Sequence, residues 1–109
     1  MQDRRSQARL LCADMLEVRW RAPAGRVRSE IGLLEDISRS GACLQLECAV
    51  AVGSEVRWES QGRQFQGVAR YCEFREIGYF VGVEFAQGCE WSESSYHPAH
   101  LLDVEKLMP

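Results

Sequence analysis

Two short sets of residues could do chemistry. Asp36, Ser38 and Gly41 form D-x-S-x-x-G inside the stretch DISRSG. A carboxylate accepts N–H donors, a hydroxyl both donates and accepts, and a glycine lets the backbone come close to whatever lies beside it. The same three residues also suit a turn, since Asp and Ser side chains bond nearby backbone N–H groups and Gly takes positive φ. The second set lies near the start of the sequence, where Arg5 and Arg9 form R-x-x-x-R with Arg4 just before. A guanidinium matches phosphate oxygens, or the O6/N7 edge of guanine, in bidentate fashion. Taken singly, the first set reads as a turn and the second as a solvated charge cluster.

The elements that would position these groups are strands. From Leu16, apolar Leu16, Val18 and Trp20 alternate with Glu17, Arg19 and Arg21, the period of a half-buried strand. APAG then turns the chain. A second strand is predicted over Val27 to Ile37, with its inward face left open because Leu33 and Leu34 are adjacent. A third runs from Ala42 to Cys48, with Cys48 continuing the core alternation of Ala42, Leu44 and Leu46. Val56 and Trp58 mark a fourth, SQGR makes a hairpin turn, and Phe65 to Cys72 forms a fifth. YFVGVEF is the sixth, with Val81, Val83 and Phe85 on one face. Short strands at this spacing with glycine-containing turns argue for a small antiparallel barrel or sandwich.

At 109 residues, 46% hydrophobic and 27% charged, the chain is expected to fold as one domain, residues 1–109. Residues 1–10 read as a mobile polar arm, 11–88 as the barrel, and 89–109 as a tail in which HPAHLLDVEKLM allows a short helix after Pro98. The net charge of −3 divides unevenly: residues 1–28 carry +4 and residues 29–109 carry −7. Duplex nucleic acid needs a broad basic face, which this balance does not offer. A compact anion held by the basic end fits better. Twelve of the thirteen basic residues are arginine, which favours planar, bidentate recognition over point-charge attraction.

Taken together, R-x-x-x-R in an N-terminal arm, a strand–turn–strand, D-x-S-x-x-G between strands and then VGVEF resemble the PilZ domain from Arg4 to about Phe85. The resemblance implies a six-stranded antiparallel β-barrel, mainly all-β, that acts as a bacterial receptor for cyclic di-GMP. By match of position, Arg5 and Arg9 would supply the first motif and Asp36, Ser38 and Gly41 the second. Arg4 would hold a second, stacked ligand, giving two per chain, and Arg39 is an additional candidate contact. The implied role is a receptor or adaptor that signals to a protein partner still to be identified; the alternative is a PilZ-like adaptor that does not bind nucleotide. The tail WSESSYHPAHLL departs from the helix many relatives carry.

Other chemistries fall away. No G-x-S-x-G, Walker A or G-x-G-x-x-G is present, and no enzymatic activity or cofactor is expected. Cys89, His97 and His100 match no common zinc spacing. Cys12 has no histidine near it in sequence to activate a thiolate. Five cysteines without a C-x-x-C pair, no signal-like leader and no long apolar run lead to the expectation of a cytoplasmic protein that does not insert into membranes.

Overall fold

The computed structural model describes residues 10–60, 62–89 and 102–103. Six strands, β1 (Leu10–Arg21), β2 (Val27–Ile37), β3 (Gly41–Leu46), β4 (Glu55–Ser60), β5 (Arg63–Arg75) and β6 (Gly78–Phe85), follow one another in the chain. They pair in the order β2-β3-β6-β5-β4-β1, and β1 pairs back onto β2. Every pairing is antiparallel, and the sheet is thereby closed into a barrel, as the sequence led one to expect. A two-residue strand, β7 (Leu102–Asp103), adds to Leu11 and Leu10 of β1. At these two residues the predicted C-terminal helix is replaced by strand. The remainder of that segment, like the arm of residues 1–9, lies outside the described residues.

The core follows from the alternation. Leu16, Val18 and Trp20 of β1, Leu44 and Leu46 of β3, Val56 and Trp58 of β4 and Val81, Val83 and Phe85 of β6 are all buried inside. Trp58, Phe65 and Phe85 form its aromatic centre, with the Trp58 and Phe65 rings stacked 5.6 Å apart and Phe65 and Phe85 also at 5.6 Å. Such contacts add to the burial of the rings themselves. Cys48 lies beyond the end of β3 and packs only partly buried against this core.

Two irregularities decide what the outer surface presents. Leu34 and Asp36 of β2 pair with consecutive residues of β3, Leu44 and Cys43, so Glu35 is an extra residue: a β-bulge. In β5, Ala69 and Tyr71 pair with Val83 and Gly82, so Arg70 is the extra residue. Each bulge places two successive side chains on the outside and then returns the strand to its inward phase. Thus Leu34 and Ile37 are both fully buried, with Glu35 and Asp36 between them. This resolves the ambiguity at Leu33 and Leu34: Leu34 faces in and Leu33 out.

Candidate functional site

The bulges bring four residues into one cross-strand row on the outer face. Asp36 of β2 pairs with Cys43 of β3, Cys43 with Gly82 of β6, and Gly82 with Tyr71 of β5. Gly82 is the low point. A Cβ there would sit 2.0 Å from Cε2 of Tyr71, because the tyrosine ring lies across the glycine. The phenol reaches Cys43 and donates to its Sγ at 3.6 Å. The ring thus roofs Cys43, which is only 7% exposed although it is not a member of the inner core.

Beside this row the turn of the D-x-S-x-x-G motif closes. Ser38 donates twice to the Gly41 carbonyl, from its backbone N at 2.8 Å and from Oγ at 3.3 Å. Phe85 N donates to Ser40 O at 2.7 Å and ties the turn to the end of β6. Gly41 is not among the positive-φ glycines, which corrects the conformational role expected for it. Its requirement is close approach: a Cβ would lie 2.4 Å from the Val83 carbonyl oxygen. Asp36, Ser38, Ser40, Gly41, Cys43, Arg70, Tyr71, Gly82 and Glu84 line a shallow depression of about 230 Å³. Asp36, Ser38 and Gly41 are therefore brought together, while Arg39 is exposed and does not line the depression. Arg4, Arg5 and Arg9 lie outside the described residues.

The electrostatics of the depression are mostly negative. Glu35 and Asp36 are adjacent, and burial followed by repulsion from Asp36 pushes the Glu35 carboxyl above its ordinary range. Arg70 on the β5 bulge is held by Glu84, with Nε 2.8 Å from Oε1 and Nη2 bonded to the same oxygen. That pair is more than half exposed, so it contributes little to stability. The Cys43 thiol is pushed up to about 11, chiefly by burial, with Asp36 and Glu35 adding to the rise and the Tyr71 hydrogen bond and Arg75 opposing it. At pH 8 only about one Cys43 in a thousand is then thiolate. We expect Cys43 to resist alkylation by iodoacetamide at pH 8 in the folded protein and to react on unfolding, as site-resolved mass spectrometry would show. Rapid native labelling would mean that the Tyr71 roof is open.

Sequence reasoning missed Tyr71, Arg70, Cys43 and Gly82. The signal available was the break in period two, for Ala69 and Cys72 enclose Arg70 and Tyr71 just as Leu34 and Ile37 enclose Glu35 and Asp36. Two larger depressions, of about 390 and 500 Å³, run along β1, β4 and β5 and share Arg19, Arg57 and Gln66. Neither is lined by a D-x-S-x-x-G residue. Among the described residues no group of histidine, cysteine and carboxylate side chains is placed to hold a metal ion, and no helix is long and apolar enough to cross a membrane.

No family model matches the chain, and neither does any curated protein. Among solved structures the barrel is similar to that of the Bacillus subtilis inhibitor of motility, MotI/DgrA, with a TM-score of 0.53 and 17% identity. The match covers 79% of this chain and 44% of that one, so the chain spans less than half the length of that structure. At this identity the likeness bears on the fold alone, the closed antiparallel barrel.

Proposed function

We propose that the chain is a PilZ-type receptor for cyclic di-GMP that passes the signal to a protein partner by changing its surface. One observation carries this reading. The β2 bulge turns Asp36 outward at the head of the row, where Leu10 and Leu11 of β1 pair with Ile37 and Asp36. The next residue back along the chain is Arg9. On this reading the arm that precedes Leu10 would bring the first motif to Asp36, so that two motifs far apart in sequence would serve one site.

Their chemistries complement each other there. The carboxylate of Asp36 suits the N–H donors of a guanine edge, and the exposed face of Tyr71 suits stacking on the base. The phosphates need cations that the described lining does not supply, since it holds Asp36 and Glu84 and its Arg70 is tied to Glu84. Arg5 and Arg9 would provide them. A depression of about 230 Å³ is smaller than the usual small-molecule site. The arm is therefore required to complete the site, and its closure over the ligand is the change a partner would sense. Ser38 and Gly41 serve by holding the turn and the β3–β6 approach that present Asp36.

The acid-rich lining also suits the alternative of an adaptor that binds no nucleotide. Titration calorimetry with cyclic di-GMP separates the two: saturable binding supports the receptor, and a folded protein that gives no binding heat supports the adaptor.

Two further outcomes follow from the proposed geometry. Tyr71→Ala should weaken binding by about five- to 150-fold, the equivalent of losing about 1–3 kcal/mol of base stacking. Tyr71→Phe should keep most of the affinity, because the ring remains while the hydroxyl that bonds Cys43 is removed. Equal affinity of Tyr71→Ala and the wild type would remove Tyr71 from the site. Arg4 bears on stoichiometry: two ligands per chain are expected for the wild type and one for Arg4→Leu, since a third guanidinium can stack on or bond a second, intercalated guanine. One ligand per wild-type chain in the same titration would exclude that role.

A further inference from the structure

β2 outruns one of its neighbours. β1 pairs with it from Val27 to Ile37, whereas β3 pairs with it only from Leu33 to Ile37. Beyond Leu46 the chain leaves the sheet and is held by Glu30. That carboxylate accepts the backbone N–H of Glu47 at 2.6 Å and of Cys48 at 3.0 Å. Among the described residues, no strand pairs with the second edge of β2 between Val27 and Glu30.

An open edge offers backbone N–H and C=O groups to any extended chain that matches its side chains. Here the two faces of the edge differ. On the outer face Val27 is 47% and Ile31 58% exposed, and Met15 of β1, paired with Leu33, is 72% exposed beside them. On the opposite face Arg28, paired with Trp20, is also exposed. At the hairpin end of the edge the charges are basic, with Arg26 and Arg28 exposed, whereas further along Arg19 is paired with Glu17 and the Glu30 carboxylate is engaged by two amides.

We propose that the edge of β2 from Val27 to Glu30 receives an extended segment of another protein in which apolar and acidic residues alternate. Because side chains in a strand alternate with period two, the apolar positions would pack on Val27 and Ile31 while the acidic ones meet Arg28. A second copy of this chain fits less well. Two-fold antiparallel pairing about Ser29 would set Arg28 against the partner's Glu30, whose carboxylate is already committed to two amides, and would bring two basic hairpins together. The edge lies at the end of the β1–β2 hairpin remote from Asp36, so its occupancy does not depend on nucleotide binding.

The test is an NMR titration of the full chain with a blocked synthetic peptide alternating valine and glutamate, and with one alternating valine and lysine. The expected result is shifted and exchange-protected amides over Val27 to Glu30, with the glutamate peptide bound at least about tenfold tighter. Arg28→Glu, on an exposed site, should reverse that preference, and Ser29→Pro should abolish binding of both by removing an edge N–H. Equal binding of the two peptides, or shifts confined to other strands, would overturn the proposal. So would concentration-dependent dimerisation that protects these same amides, which would assign the edge to a second copy.

Discussion

Asp36→Ala is expected to lower the affinity for cyclic di-GMP by about ten- to 150-fold while leaving the barrel folded. The binding loss corresponds to a charge-assisted hydrogen bond, worth about 1.5–3 kcal/mol. The fold should survive because Asp36 is partly exposed on the outer face, whereas Leu34 and Ile37 beside it carry the packing. Removing the acid also relieves repulsion on Glu35, whose carboxyl should fall back toward the ordinary range. Asp36→Asn should lose most of the affinity too, since an amide accepts less strongly than a carboxylate. Calorimetry for affinity and urea unfolding for stability give the two readouts separately. A variant that binds like the wild type but unfolds more readily would make Asp36 a turn residue only.

Gly41→Ala separates support from contact. A Cβ at this position meets the Val83 carbonyl at 2.4 Å, and a backbone oxygen cannot escape by changing rotamer. β3 and β6 must part there, and we expect a loss of about 1–3 kcal/mol of stability, the usual cost of overpacking. Binding should fall as well, because the same shift displaces the turn that ends at Gly41 and presents Asp36. Unfolding curves of the two proteins check the first effect and ligand titration the second. Wild-type stability in the variant would show that the close approach is not required.

Much of the architecture is legible in the residues. Alternation along Leu16 to Arg21 and along YFVGVEF marks strands whose buried faces are those found, and the glycine-containing turns mark their ends. What periodicity could not supply is phase at a bulge. Reading Leu33 and Leu34 as competing inward residues missed that Glu35 would be inserted, since a bulge is fixed by pairing with β3 and not by local preference. Gly41 reads both as a positive-φ turn residue and as a point of close approach to a ligand, and only the need for close approach holds. Its actual reason, a neighbouring strand from residues far along the chain, has no local signature. For Tyr71 the break in period two between Ala69 and Cys72 was a local sign of an outward residue, but its place beside Cys43 and Asp36 emerged only from the pairing of β5, β6 and β3. At the other end, the short strand at Leu102–Asp103 depends on pairing with β1, which helix-forming composition around it did not reveal.

The most direct measurement is calorimetric titration of the full chain with cyclic di-GMP at fixed salt, with GMP as the control. Saturable binding of the cyclic dinucleotide at two per chain, weakened about ten- to 150-fold in Asp36→Ala and absent with GMP, is the expected result. No binding heat from protein shown to be folded by its near-UV circular dichroism would contradict it.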